Sequence, residues 1–206
     1  REAEDRVMNM LAEHGIRGEG KKIVLYAPTF RGKVAQAVSP DVLDFERMHQ
    51  ELGNDWIFLC KHPPFVKHRP QLPAESGGYA LDVTEELEIE DLLMVSDVCI
   101  SDYSSLIFEY SLLERPILFL AHDLEDYYDW RGFYYPFEEM APGPVATNTG
   151  EVVEYLLHLE RRFDRRKVAR FRERFMSSCD GHATERVLQL LEKVTAEKNG
   201  TDPETL

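Results

Sequence analysis

Short apolar runs alternate along the chain with longer stretches in which apolar residues recur every three or four positions. The short runs predict buried strands, and they lie at residues 23–27, 56–60, 79–83, 98–100 and 117–120. The longer stretches predict helices, at residues 1–14, 40–52, 86–96, 106–113, 150–163, 165–176 and 181–194. Strands and helices in alternation predict an α/β fold with a parallel sheet, because right-handed crossovers join neighbouring parallel strands.

A polar turn joins a predicted strand to a predicted helix in residues 97–110, DVCISDYSSLIFEY. Ligands of parallel sheets bind outside the carboxyl ends of the strands. The first turn of a helix also offers unpaired backbone N–H groups that favour anions. Ser104 and Ser105 add two hydroxyl groups at this place. The serines therefore either cap the helix, as serine often does, or help to bind a phosphate, and the turn alone leaves both interpretations open.

The same rule places four loops on one rim of the sheet: residues 28–33, residues 61–64, residues 101–105 and the loop after residue 120. Four candidates for binding a diphosphate occur in them: Arg31, Lys61, His62 and Arg131. Arginine can donate two parallel hydrogen bonds to a phosphate, and imidazole titrates near neutral pH. The alternatives are surface ion pairs for the arginines and a structural imidazole for His62.

Two further features follow the serine turn. Glu109 lies on the helix after the serines, where its carboxylate could accept ribose hydroxyls. Residues 122–145 are rich in aromatic side chains and show no periodicity, so we predict a long loop that is either functional or an aromatic plug at the sheet edge. Four acidic residues near its start fit a solvated acidic loop better than a metal site: Asp123, Glu125, Asp126 and Asp129.

Composition narrows the class of protein. The 206 residues carry a net charge of −14, which argues against a nucleic-acid-binding surface and against a basic membrane anchor. The chain has neither a run of roughly 20 apolar residues, as a membrane span needs, nor a signal pattern. Its three cysteines lack metal-site spacing and fit free thiols in a reducing compartment. No Walker P-loop, GxGxxG or GxSxG motif occurs.

Five motifs then occur in order: 26–31 (YAPTFR), 61–63 (KHP), 100–105 (ISDYSS) with 108–110 (FEY), 131–134 (RGFY) and 180–183 (DGHA). This series, over residues 22–191, resembles the CDP-glycerol glycerophosphotransferase family of teichoic-acid polymerases and primases. The resemblance implies a GT-B-type enzyme with two Rossmann-like halves. This chain would be the C-terminal half, a Rossmann-like parallel sheet with helices on both faces that binds the donor. Its expected organisation is a linker helix at 1–20, the donor-binding domain at 21–195 and a frayed tail at 196–206.

The resemblance also implies an activity and its partners. Such enzymes transfer glycerol phosphate from CDP-glycerol to a polyprenyl-linked acceptor at the cytoplasmic face of the membrane and release CMP. No cofactor, metal or nucleic acid is implied, and contact with the membrane is expected to be peripheral. The acceptor would bind through the missing N-terminal half. The alternatives are a transferase that uses CDP-ribitol or a nucleotide sugar, and a nucleotide-binding module without turnover.

Roles for individual residues follow from the rim loops and the resemblance together. The resemblance implies that His62 is needed for activity, and we assign catalytic roles to His62 and Arg131. The remaining predicted ligands of the donor fall into two sets: Ser104, Ser105, Arg31 and Thr29 for its phosphates, and Glu109, Asp102 and Lys61 for the nucleotide and ribose. His182 lies where some members have a second histidine. The predicted reaction is in-line attack of an acceptor hydroxyl on the β-phosphorus.

Overall fold

A computed structural model describes residues 1–73 and 78–199. The strands within these ranges are β1 (Lys22–Ala27), β2 (Trp56–Cys60), β3 (Ala80–Asp82), β4 (Val98–Ser101), β5 (Ile117–Leu120) and β6 (Val145–Ala146). The α-helices are α1 (Glu2–Glu13), α2 (Phe45–Leu52), α3 (Ile89–Val95), α4 (Leu106–Ser111), α5 (Leu124–Trp130), α6 (Phe137–Met140), α7 (Thr149–Leu157), α8 (Leu159–Arg162), α9 (Arg165–Met176) and α10 (Ala183–Asn199).

The strands form a parallel sheet in the order β3-β2-β1-β4-β5-β6. Tyr26 of β1 pairs with Cys60 of β2 on one side and with Ile100 of β4 on the other. The chain order reverses between β1 and β4, so the loops that follow these two strands flank the topological switch point. This is the position at which α/β sheets of this kind bind their ligands.

Alternate residues of the central strands enter two separate cores. Leu25 and Leu59 pack in one core with residues of α1, α3, α4 and α9. Val24 and Phe58 pack in the other with residues of α2 and α7. Because successive strand residues point to opposite faces, continuous apolar strands need helices on both sides of the sheet. The predicted α/β class, a parallel sheet covered on both faces, is confirmed.

Some predicted helices have different bounds. The helix predicted at 40–52 begins at Phe45, because the Asp44 side chain caps it by accepting a hydrogen bond from Arg47 N. The helix predicted at 106–113 ends at Ser111. The one predicted at 181–194 begins at Ala183 and extends to Asn199.

The prediction of a long loop at 122–145 was wrong. This segment contains α5 and α6, of seven and four residues, and it ends at β6. Helices this short show too few turns for a periodic apolar pattern. β6 adds to the sheet through pairing of Phe119 with Val145.

The first helix packs on the domain that follows it. Val7, Met10 and Leu11 of α1 are buried in the core that α3 shares, and Arg6 donates two hydrogen bonds to Asp91, of 2.6 and 2.5 Å. The division into a linker helix, a domain and a tail stays a prediction. Residues 200–206 of the expected tail and residues 74–77 lie outside the described part of the chain. No described helix has the length and apolar composition that crossing a bilayer requires.

Candidate functional site

A buried carboxylate joins the two loops at the switch point. Asp102 follows β4 and is 2% exposed. It accepts hydrogen bonds from Thr29 N at 2.8 Å, from the Thr29 hydroxyl at 3.0 Å and from Tyr103 N at 2.7 Å. Burial raises the pKa of Asp102, while the Arg31 guanidinium and these donors counteract that effect. The loops after β1 and β4 are therefore held together by the side chain of Asp102.

Arg31 extends this network to the loop after β5. Its guanidinium donates to Asp102 Oδ2 at 3.0 Å and to both carboxylate oxygens of Asp123, at 2.6 and 2.9 Å. Tyr103 Oη also donates to Asp123, at 2.9 Å. Burial alone would raise the pKa of Asp123, but the hydrogen bonds from Arg31 and Tyr103 hold it below its usual value. Three rim loops thus share one network of charged hydrogen bonds.

Three residues that we predicted to bind the donor, Arg31, Thr29 and Asp102, hold the rim loops together through this network. The Arg31 guanidinium, which we expected to contact phosphate, is occupied by two carboxylates, and Asp102 and Thr29 bond to Arg31 and to each other. Asp123 is not a member of a solvated acidic loop as we expected, because it is 19% exposed and paired with Arg31. These residues fix the shape of the rim.

A cavity of about 530 Å³ opens beside the network. Ser104 and Ser105 line it, together with Asp102 and Tyr103. The Ser104 hydroxyl accepts a hydrogen bond from Leu106 N at 3.2 Å, whereas the Ser105 side chain makes no capping bond to α4. Since α4 has only six residues, its dipole contributes little here. Ser104 has a capping role, and the exposed Ser105 hydroxyl is available to a ligand.

Aromatic side chains form most of the cavity wall. The rings of Tyr103 and Tyr127 lie 3.9 Å apart, and Phe133 packs on both. Phe137 is buried beneath them, while Tyr134 is fully exposed at the cavity edge. The aromatic segment therefore serves both as the predicted plug and as the wall of a pocket. Its inner rings bury apolar area and its outer rings face solvent.

His62 lies at the end of β2 and is 4% exposed. Its Nδ1 is 2.7 Å from the Ser39 hydroxyl, and its backbone N–H donates to Thr84 Oγ1 at 3.0 Å. Burial lowers the pKa of His62, although Asp82 partly opposes the shift. The imidazole is therefore neutral at neutral pH, the form in which one ring nitrogen can accept a hydrogen bond. Neither His62 nor Arg131 is among the described residues that line the serine cavity.

The ammonium group of Lys61 is held by the main chain. It donates to Thr84 O at 2.8 Å and to Leu87 O. These bonds connect the end of β2 to the turn before α3. The predicted role of Lys61 in binding the nucleotide stays a prediction, and the structure gives this side chain a bracing function.

Arg131 keeps an uncompensated charge on the rim. Its guanidinium lies 4.6 Å from the ring centres of Phe30 and Trp130. In the described chain it forms no ion pair, whereas Arg31 pairs with two aspartates. Stacking on two rings fixes its position without neutralising it, so Arg131 can approach an anion bound at the rim.

Glu109 and His182 lie outside this arrangement. Glu109 is exposed on α4, and it is not among the described residues that line the serine cavity. His182 is exposed before α10, where its backbone N–H donates to Asp180 Oδ1 at 3.1 Å and its Nδ1 is 3.0 Å from Glu185 Oε2. Asp180 also accepts hydrogen bonds from the Arg186 side chain of α10, and the roles of Glu109 and His182 stay predictions.

Sequence reasoning missed three contributors to the rim: Ser39, Tyr103 and Asp123. A signal for Asp123 was present, since it lies in the loop after β5, at the same edge of the sheet as Asp102, which follows β4. Nothing in the sequence marked Ser39 as the partner of His62, because 23 residues separate them. Among the described residues no group of three or more histidine, cysteine or acidic side chains is placed to hold a metal ion.

Comparisons with known proteins give one consistent answer. Residues 1–193 match the model of a family described as CDP-Glycerol:Poly(glycerophosphate) glycerophosphotransferase. The chain is 38% identical over 170 residues to a teichoic acid poly(ribitol-phosphate) polymerase of Bacillus spizizenii, which covers 82% of this chain and 27% of that protein. It is 42% identical over 140 residues to a teichoic acid poly(glycerol phosphate) polymerase of Bacillus subtilis, which covers 65% of this chain and 18% of that protein.

Solved structures of the wall teichoic acid polymerase TagF share the fold. A histidine variant of TagF aligns with a TM-score of 0.74 and 28% identity, over 95% of this chain and 49% of that one. A second histidine variant, soaked with CDPG, aligns with a TM-score of 0.70 and 28% identity, over 96% of this chain and 48% of that one. The chain therefore spans about half of the solved TagF chains and a smaller part of the two curated relatives.

Proposed function

This chain belongs to the CDP-Glycerol:Poly(glycerophosphate) glycerophosphotransferase family, and we propose that it is the donor-binding half of a GT-B-type teichoic-acid transferase. The proposed reaction moves glycerol phosphate from CDP-glycerol to a polyprenyl-linked teichoic-acid acceptor and releases CMP. We place the acceptor site in a second half of the enzyme that lies outside this chain. We also propose that the enzyme works at the inner face of the cell membrane.

The observation that carries the proposal is the serine cavity beside the loop that follows β4. It has an available hydroxyl at Ser105, an aromatic wall large enough for a base or a polyol, and a volume of about 530 Å³. Pockets for small ligands usually combine such apolar walls with a few placed polar groups. The TagF variant that was soaked with CDPG supports a donor of this class.

We propose that the acceptor hydroxyl attacks the β-phosphorus of the donor. A new oxygen–phosphorus bond forms as the bond between the β-phosphorus and the bridging oxygen breaks, and CMP leaves with that oxygen. Catalysis of phosphoryl transfer depends mainly on positioning and on stabilising charge. Ser104 and Ser105 hold the diphosphate in this scheme, and the unpaired guanidinium of Arg131 offsets the charge that develops on CMP.

In this scheme His62 takes the proton of the attacking hydroxyl. Burial lowers the pKa of His62, so its imidazole is neutral at neutral pH, which is the form that a general base requires. Nδ1 faces Ser39, which leaves Nε2 for the acceptor when Nδ1 carries the proton. In this tautomer Nδ1 donates to the Ser39 hydroxyl, and Nε2 is the atom that takes the proton in the proposed scheme.

A second candidate donor is CDP-ribitol. The relative that is 38% identical over 170 residues is a poly(ribitol-phosphate) polymerase, so the family match does not fix the polyol. The two donors share the CDP group and differ in the length of the polyol. Their diphosphates would contact the same serines, and the aromatic wall would select between them.

The test is calorimetric titration of this chain with CDP, UDP, CDP-glycerol and CDP-ribitol. We expect CDP to bind more tightly than UDP, and one of the two CDP-polyols to bind more tightly than the other. Ser104→Ala combined with Ser105→Ala should lower the affinity for CDP about tenfold. Two hydrogen bonds to a charged group are lost, and hydrogen bonds to water compensate for part of the loss.

Arg166→Gln is the matched control for the loss of charge in Arg131→Gln. Arg166 is exposed and pairs with Asp164, so its removal should leave CDP affinity unchanged while Arg131→Gln lowers it. The proposal fails if no nucleoside diphosphate binds, or if CDP affinity is the same with and without the two serines.

A further inference from the structure

Positive charge is concentrated at the end of α8 and along α9 in this acidic chain. Residues 161–174 contain eight of the 24 lysine and arginine residues: Arg161, Arg162, Arg165, Arg166, Lys167, Arg170, Arg172 and Arg174. Most are exposed, and the segment includes all but two residues of α9. A cationic surface on a molecule of net charge −14 attracts an anion that the rest of the surface repels.

Four of the eight cations form ion pairs with residues that the structure describes, including Arg162 with Glu154, and three of the other four lie on α9. Arg165 and Arg172 both pair with Glu114, and Arg166 pairs with Asp164. Three others, at i, i+3 and i+7 along one face of α9, form no ion pair in the described chain: Lys167, Arg170 and Arg174. Residues at this spacing lie on the same side of a helix.

These three cations line a second cavity, of about 380 Å³. Met140 and Phe175 form part of its wall and also part of the wall of the serine cavity. Arg174 bridges the two, because its guanidinium lies 5.2 Å from the ring centre of Tyr135, a residue of the serine cavity. The basic cavity is therefore the immediate neighbour of the proposed donor site.

Two acidic side chains narrow the choice of ligand. Glu138 and Glu139, at the start of α6, line the basic cavity and form no ion pair within the described ranges. They would repel a bare phosphate, but carboxylates accept hydrogen bonds from hydroxyl groups. Cations on one wall and carboxylates on the other suit a ligand that alternates phosphates with hydroxyl-bearing carbons.

We propose that this basic cavity binds the phosphodiester backbone of a polyol-phosphate chain, with Lys167 and Arg170 on phosphates and Glu138 and Glu139 on hydroxyls. The inference rests on the proposed function: the reacting end of the acceptor is bound by the second half of the enzyme, and the polymer behind that end lies in the basic cavity of this chain. A chain held here would lie next to the donor cavity and would stay bound between successive transfers.

The test is fluorescence anisotropy of this chain with a labelled glycerol-phosphate oligomer, with glycerol 3-phosphate as the monomeric competitor. Affinity should rise with the number of phosphates and fall with added salt. Lys167→Gln combined with Arg170→Gln should lower the affinity for the oligomer about tenfold, because two exposed charged contacts are lost. Both side chains are exposed, so the variant should fold as the parent does. Arg166→Gln on the same helix should change the oligomer affinity less than twofold.

Three results would overturn the inference. The oligomer could fail to bind, or the Arg166→Gln control could lose as much oligomer affinity as the double variant. The chain could also bind only to phosphatidylcholine vesicles that contain phosphatidylglycerol, and not to the oligomer. The last result would assign the cations to a lipid surface. CDP titration of the same variants separates this inference from the proposed function. If CDP binds and the oligomer does not, the inference alone fails; if the oligomer binds in a Lys167-dependent manner and CDP does not, the proposed donor site fails.

Discussion

Replacing Asp102 with asparagine should destabilise the domain strongly, because this buried carboxylate accepts four hydrogen bonds. An asparagine oxygen can keep the two bonds that Oδ1 accepts from Thr29 N and Tyr103 N. Its NH₂ group would then replace Oδ2 and point at the donor Nη2 of Arg31. The charge-assisted bond from Arg31 is lost and a donor faces a donor, and the Thr29 hydroxyl can no longer donate at this position. We expect these changes to cost about 3 kcal/mol. Arg31 keeps its bonds to Asp123, so the loss should not reach the full value for an unpaired buried charge.

Urea denaturation followed by circular dichroism measures this free energy of unfolding. Asp164→Asn is the matched control, because Asp164 caps α9 at the surface and asparagine caps a helix about as well as aspartate. The control should change stability by less than about 0.5 kcal/mol. A loss below about 1 kcal/mol for Asp102→Asn would refute the reasoning, because it would show that the four bonds contribute no more than one ordinary hydrogen bond.

Two further predictions concern pH and packing. The pKa of His62 is lowered in the fold from its ordinary 6.5, so the unfolded chain binds the proton more readily. The free energy of unfolding should therefore fall as the pH drops below 6.5. His62→Gln should reduce this dependence on pH in urea titrations at pH 7.5, 6.5 and 5.5. An unchanged dependence would contradict the assignment. Gly143→Ala should lower the melting temperature, because its Cβ would lie 1.8 Å from Ile117 O. In Gly15→Ala the new Cβ has open space around it, and only the positive φ of 73° is unfavourable. The Gly15 change should cost about 1 kcal/mol and the Gly143 change more, and equal losses would contradict this.

Much of the fold follows from local patterns. The runs at 56–60 and 117–120 are the strands β2 and β5 with the bounds that the sequence suggested, because strands buried on both faces are continuously apolar. The structure of the segment 122–145 was not predicted from local patterns. Phe133 and Phe137 of this segment pack on Tyr103, which lies about 30 residues earlier in the chain and so contributes to no local pattern.

The candidate site was predicted in part. The position of the rim and the exposure of Ser105 and Arg131 agree with the loops that the sequence placed at the carboxyl ends of the strands. The pairing of Arg31 with Asp102 and Asp123 was not predictable, because it joins residues that are 71 and 92 positions apart. A residue type suited to phosphate is equally suited to a buried ion pair, and only the folded chain shows which partner it has.

The central claim is that the donor diphosphate binds in the serine cavity. A crystal structure of this chain with bound CDP tests it most directly. The account predicts a phosphate oxygen within hydrogen-bonding distance of the Ser105 hydroxyl, with the Arg131 guanidinium turned towards the diphosphate. CDP bound at another place, with the serine cavity open to solvent, would contradict it.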